Sequence, residues 1–254
     1  MTNEQKVAVI TGGSRGLGKS MALHLAERGV DSIITYRSSS KEAVEVVTAI
    51  GKHGRKAAAL QLEAGDSSSF GGFAEALKAE LGRTWQRTDF DFLVNNAGVG
   101  AHASFEQTTE AQFDELMKVH LKGPFFLTQT LLPLIADGGR ILNVSSGLAR
   151  FTFPGYAAYS AMKGGIEVLT RYLAKELGAR KISVNTLAPG AIETDFGGGA
   201  VRDNSELNKL VASGIALGRV GLPDDIGGAV AMLLSPESAW INGQRIEVSG
   251  GQML

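Results

Sequence analysis

Lys6–Ser20 reads KVAVITGGSRGLGKS, and the reading of this stretch decides the fold. KVAVIT (Lys6–Thr11) is a short β-branched, apolar run, the pattern of a strand buried on both faces. Helical periodicity follows over Ser20–Arg28. Between the two, Gly12, Gly16 and Gly18 are spaced GxxxGxG. Glycine lets a backbone turn sharply and lie close against a ligand, and the N-terminus of the next helix offers free N–H groups and the positive end of its dipole. Such a turn suits a pyrophosphate, with Gly12, Ser14, Arg15, Gly16, Leu17 and Gly18 as its candidate lining. A tight strand-to-helix turn with no ligand would use the same glycines, so the surroundings must decide.

The same alternation runs to the end of the chain. SIITY (Ser32–Tyr36), AAALQL (Ala57–Leu62), FDFLVN (Phe90–Asn95), RILNVS (Arg140–Ser145), ISVNTLA (Ile182–Ala188) and RIEVSG (Arg245–Gly250) read as strands, with helical segments between them, among them Lys41–His53 and Phe70–Leu81. Strand–helix alternation without a long linker predicts one α/β domain over 1–254, with a parallel sheet covered by helices on both faces. Leu81–Asp89 (LGRTWQRTD) reads as a long, polar, solvated loop.

The 254 residues are 44% hydrophobic and 20% charged, an ordinary globular balance. No run approaches the ~20 apolar residues of a membrane span. The N-terminal stretch lacks the basic and small-residue marks of a secretory leader, so a cytoplasmic location is expected. The absence of cysteine excludes disulfides, thiolate catalysis and zinc–thiolate sites. A net charge of −1 argues against nucleic acid or an anionic membrane as the main partner. His24, His53, His102 and His120 show no metal-ligand spacing, so no metal is expected.

At the first strand of a doubly wound sheet, the glycine turn is expected to hold a dinucleotide. Folds that bind NAD often carry an acidic residue after the second strand to accept from the ribose 2′-OH. Here the strand ends TYRSSSK, which supplies Arg37 and Ser38 but no carboxylate. With Arg15 in the glycine turn, the two guanidinium groups suit a 2′-phosphate, so NADP(H) is expected over NAD(H). The plainer alternative is a pair of solvated surface arginines.

Beyond RILNVS lies PGYAAYSAMKGG, in which Tyr159 and Lys163 stand four residues apart on one helix face. A phenol titrates near ~10, and a fixed ammonium beside it would bring it into range for acid–base chemistry. Tyr156 is a rival on the same face, but it stands seven residues from Lys163. Ser146 falls just past a strand end, at the sheet edge where α/β proteins bind ligands, and could hydrogen-bond a substrate oxygen. Each of the three has an ordinary reading alone; together they point to a reacting carbonyl.

These motifs make the whole chain resemble the short-chain dehydrogenases/reductases. The match comprises TGGSRGLG (11–18), NNAG (95–98), Ser146, YSAMK (159–163), NTLAPGAIETD (185–195) and the ending INGQRIEVSGG. The resemblance implies a single-domain Rossmann fold with a seven-stranded parallel sheet, assembled as a homotetramer. It implies Tyr159 as general acid/base, Lys163 lowering its pKa and holding the nicotinamide ribose, and Ser146 positioning the carbonyl. Asn96, Ala97 and Gly98 match residues near the adenosine ribose; Pro189, Gly190, Ile192 and Thr194 match those at the nicotinamide end. Glu63 and Ala64 match the adenine-contact position, where the family usually has Asp. The pattern looks most like 3-oxoacyl carrier-protein reductases and related ketoreductases. In this fold Phe151, Phe153, Tyr156 and a substrate loop over about 191–217 would line an apolar pocket, with GGG (197–199) suggesting a mobile lid or simply a flexible surface loop.

His120 stands where the family has an asparagine counted with its catalytic group, whose backbone carbonyl holds a water at a helix kink. Pro124, four residues on, has no N–H to give to the His120 carbonyl. A general base would duplicate Tyr159, and a metal ligand would lack partners. The favoured reading is a side chain tolerated because the main chain matters. The function expected is an NADP(H)-dependent interconversion of a ketone, or a 3-oxoacyl group, and a secondary alcohol. A catalytically silent cofactor-binding regulator and a lyase or epimerase with a tightly held cofactor are the alternatives.

Overall fold

The computed structural model describes residues 5–254; the first four residues of the N-terminal stretch, and of the 1–254 domain read above, lie outside it. Seven strands form one all-parallel sheet: β1 (Val7–Ile10), β2 (Asp31–Tyr36), β3 (Ala57–Gln61), β4 (Phe90–Asn95), β5 (Ile135–Val144), β6 (Ser183–Pro189) and β7 (Arg245–Val248). They lie in the order β3-β2-β1-β4-β5-β6-β7. The chain reverses its direction across the sheet between β1 and β4, which opens a crevice at their C-terminal ends. This is the doubly wound Rossmann arrangement expected.

The strand pleat sorts side chains to two cores. Val7, Val9 and Ile33 face one side, where α3 (Phe70–Trp85), α5 (Gly123–Leu131) and α6 (Ala157–Glu176) bring Phe73, Leu77, Leu131 and Ala174. Ala8, Ile10 and Ile34 face the other, against Met21 and Leu25 of α1 (Gly16–Glu27), Val46 and Ile50 of α2 (Ser40–Lys52), and Ile226 and Val230 of α9 (Pro223–Leu233). Strands buried on both faces explain the continuous apolar runs. Between α3 and α9 the chain also forms α4 (Glu110–Met117), α7 (Ala200–Asp203) and α8 (Ser205–Ser213). Among the described residues, no helix is long and apolar enough to cross a membrane.

Two boundaries differ from the sequence reading. Leu81–Asp89 is not a solvated loop: α3 runs to Trp85, and the left-handed Gln86 (φ 55°) ends it. Phe73, Leu77, Leu81 and Trp85 are all buried at i,i+4 spacing, a ladder masked in sequence by Gly82, Arg83 and Thr84. β5 begins five residues earlier than Arg140. Its pairing with β4 slips between Phe90 and Phe92, where Asp137 and Gly138 are exposed and Gly138 takes φ 77°.

Trp85 also serves the sheet. Its indole Nε1–H donates to Oδ2 of buried Asp31 at 2.8 Å, while the Lys56 N–H donates to Oδ1 at 3.0 Å. Trp85→Phe would keep most of the packing and remove one donor from a buried carboxylate, a cost of ~1–3 kcal/mol. The expected result is a melting temperature lower by about 3–10 °C, read by circular dichroism; an unchanged value would show that water replaces the indole.

Candidate active site

The glycine turn, NNAG, Ser146 and the 189–194 segment follow β1, β4, β5 and β6, four neighbouring strands, so topology alone gathers them at one edge. Gly12 (φ 66°) and Gly16 (φ 52°) take left-handed backbone, which only glycine adopts freely. A Cβ on Gly18 would sit 2.3 Å from the Gly12 carbonyl oxygen, so the start of α1 can lie on the end of β1 only because that atom is missing. Thr11, which sequence reasoning passed over, holds the turn to the next strand: its Oγ1 accepts the N–H groups of Asn96 and Ala97, both at 2.9 Å. Asn96 returns its side-chain N–H to the carbonyls of Thr11 (2.8 Å) and Gly12 (3.2 Å). Asn96 thus braces the turn, whatever its main chain offers a ribose.

These residues fit a dinucleotide. No side chain caps the N-terminus of α1, and its first turn carries no acid. From Gly16 the nearest atoms in the direction of a Cβ belong to Thr194, 3.8 Å away, so the turn and the 189–194 segment face each other across a narrow gap. A pyrophosphate would meet free N–H groups there. Ser14 is buried in the turn and Leu17 packs towards the second core. Gly190 lies against Ser249, Pro189 ends β6, and Ile192 bridges to Gly221, which fixes the path to Thr194. Arg37 and Ser38 are exposed past β2. Arg37 is paired, with its Nε 2.5 Å from Glu63 Oε2, and Ala64 lies against Gly123 at the start of α5. Arg15 reaches Asp195 at 3.9 Å.

Tyr159, Lys163 and His120 are all buried around one point. Lys163 Nζ lies 5.6 Å from the Tyr159 ring centroid and donates to the Val144 carbonyl at 2.7 Å. Burial pushes the Lys163 ammonium down to about 7. Burial pushes the Tyr159 phenol up, opposed by its hydrogen bond with Ser146. Lys163 is not among the groups that shift the phenol in this arrangement: the ammonium lies over the ring face, and Ser146 is the residue that opposes the rise. Arg245 donates to the Ser146 carbonyl (3.2 Å) and pairs with Glu167, which also takes the Ser145 hydroxyl. Tyr156, the rival, instead packs at the mouth on His102 and Phe153.

His120 lies in a π-helical turn, Lys118–Lys122, where the Gly123 N–H reaches five residues back to the Lys118 carbonyl. Pro124, in the first turn of α5, has no N–H to offer. The imidazole does more than fit. Its Nε2 lies 2.7 Å from the Val99 carbonyl oxygen and 3.2 Å from the Val99 nitrogen; the shorter contact places the proton on Nε2, donating to the carbonyl. Buried Nδ1 has no partner, and the ring stands edge-on to Tyr159 at 5.1 Å. Among the described residues no cluster of acids and histidines could hold a metal ion.

Phe196 covers the site, with its ring 5.7 Å from that of Tyr159. Gly197, Gly198 and Gly199 follow with φ of 63°, 77° and 77°, and Gly197 rests on Gly100. One cavity beside Tyr159, between Ala101, Leu116 and Ala158, has about 10 Å³, room for one water.

A family model described as enoyl-(acyl carrier protein) reductase matches residues 12–253. A hydroxynaphthalene reductase-like protein, Arp2 of Metarhizium brunneum, is 36% identical over 265 residues, covering 98% of this chain and 95% of its own. Among solved structures, LugOII, a promiscuous reductase catalysing keto-reduction at C1 in lugdunomycin biosynthesis, superposes with a TM-score of 0.94 at 37% identity, over 100% of both chains. The angucycline C-6 ketoreductase LanV with bound NADP gives 0.93 at 36% identity, over 99% of this chain and 97% of that one.

Burial, and then the nearby Lys163 charge, push His120 down to about 3. The folded ring stays neutral where the unfolded chain takes up a proton, so stability falls as pH drops from about 6.5 towards 3. Between pH 7 and 4.5 this amounts to about 2–3 kcal/mol. His120→Asn should remove it, and urea titrations of both proteins at the two pH values read the difference; equal pH dependence would mean that the buried ring is not held neutral.

Proposed function

The chain belongs to the short-chain dehydrogenase/reductase family, and we propose that it is an NADP(H)-preferring ketoreductase acting on a ketone carried by an apolar, aromatic frame. The observation that carries this reading is the convergence of Ser146, Tyr159 and Lys163 at the edge that also holds the glycine turn. A reduced nicotinamide held there would supply the hydride that the carbonyl carbon takes up. The Ser146 hydroxyl donates a hydrogen bond to the carbonyl oxygen, and Tyr159 O–H delivers the proton that completes the alcohol. Reduction starts from the protonated phenol, and the reverse reaction requires its phenolate. Lys163, with its Nζ 5.6 Å from the Tyr159 ring centroid, would hold the nicotinamide ribose. His120 acts through Val99, keeping the chain after NNAG in position.

Phe151, Phe153, Tyr156 and Phe196 supply the aromatic walls, with Leu217 on the same 191–217 loop. Naphthalene-type and angucycline ketones, named for Arp2 and LanV, fit such walls better than sugars do. The catalytically silent alternative has no observation in its favour, since the triad is intact and the His120 ring is hydrogen-bonded in place. Exposed Phe113, Phe125, Phe126 and Tyr172 on α4, α5 and α6 favour a homotetramer, and the composition a cytoplasmic location.

Incubation with NADPH and a bicyclic aromatic ketone, followed at the reduced-nicotinamide absorbance, should show turnover; turnover only of acetoacetyl thioesters would replace the substrate class. Tyr159→Phe should bind NADPH normally and lose on the order of 10²-fold or more in kcat. Near-full turnover would remove Tyr159 from the chemistry. Arg37→Ala should weaken NADPH about tenfold and NADH little, because only NADPH carries the phosphate.

A further inference from the structure

We infer that Glu63 is a specificity-determining residue of the cofactor site, holding Arg37 and competing with a 2′-phosphate for it. The inference rests on the reading of Arg37 as the phosphate contact. β2 and β3 pair in register as far as Tyr36 and Gln61, and the Leu62 N–H still donates to the Tyr36 carbonyl at 2.9 Å. Arg37 and Glu63 therefore leave the sheet side by side. Each is anchored: Gln61 Nε2 donates to the Arg37 carbonyl at 2.9 Å, and the Gly65 N–H donates to Glu63 Oε1 at 3.3 Å. Glu63 Oε2 is left for the Arg37 guanidinium, at 2.5 Å from Nε.

The two cofactors meet this pair differently. A 2′-phosphate bound to the remaining guanidinium nitrogens would lie within a few ångströms of the carboxylate, and like charges there oppose binding. A 2′-hydroxyl instead finds in Glu63 an acceptor for its proton, the service usually given to NAD by an acid after the second strand. Both effects act in one direction, against NADP(H) and for NAD(H). The pair is exposed, with side chains 66% and 38% accessible, so a phosphate can share Arg37 and the bias stays modest. The second guanidinium of the site repeats the pattern more loosely. Arg15 faces Asp195, which Arg202 also holds. Arg15 and Arg37 thus each already face a carboxylate, so the two are less available to a 2′-phosphate than free guanidinium groups would be.

The test measures dissociation constants of NADPH and NADH for the full-length protein by reduced-nicotinamide fluorescence, in wild type, E63Q and R37A. E63Q keeps a hydrogen-bonding partner for Arg37 and removes the charge. It should raise the ratio Kd(NADH)/Kd(NADPH) by about three- to fivefold, whereas R37A should lower it. A lower ratio in R37A together with an unchanged or lower one in E63Q would overturn the role of Glu63 and leave the NADP(H) reading intact. An unchanged ratio in R37A would overturn that reading itself, and with it the competition for Arg37. Any contact of Glu63 with the adenine common to both cofactors cancels in the ratio.

Discussion

The C-terminal edge of the sheet depends on how closely Gly18 is laid on the carbonyl of Gly12. With no Cβ between them, α1 begins directly over the end of β1, and its unpaired N–H groups point into the crevice where the strand order reverses. Thr11 and Asn96 tie that turn to the end of β4 through four hydrogen bonds, so the phosphate end and the NNAG segment form one connected piece. Everything downstream is referred to this piece: Thr194 across the gap from Gly16, and His120 through Val99.

Much of this was legible because it is local. Seven apolar runs became seven strands, since burial on both faces leaves no room for polar alternation. The Tyr159–Lys163 spacing put both side chains on one buried helix face, as four residues on a helix must. What escaped was what depends on a partner distant in sequence. Trp85 looks like part of a polar loop until Asp31 is beside its indole. His120 looks like a passenger until Val99 is seen against its ring. Arg37 reads as a free cation because nothing near it in sequence announces Glu63, twenty-six residues on, across a strand pair. Thr11 was visible in the motif, but its hydroxyl has a purpose only once β4 lies alongside.

Burial, more than pairing, sets the electrostatics of the reacting centre. Tyr159, Lys163 and His120 have little water and no carboxylate among the groups that shift them, and each is driven towards its neutral form. Weakening the charge here lowers the cost of bringing an apolar ketone against the site, because a full buried charge would hold water there. The outer rim differs: Arg15, Arg37, Arg202, Glu63 and Asp195 meet in partly exposed ion pairs, where charge can select a cofactor without destabilising the fold.

The three left-handed glycines after Phe196 give the flap its path from backbone conformation alone. Its course over Tyr159 does not depend on which side chain occupies position 196, so that residue can change in size while the turn behind it keeps its shape. Substrate range and loop architecture become separate variables. A library confined to residue 196 would vary the roof of the pocket alone, whereas a single side chain introduced at 197, 198 or 199 would redirect the whole flap.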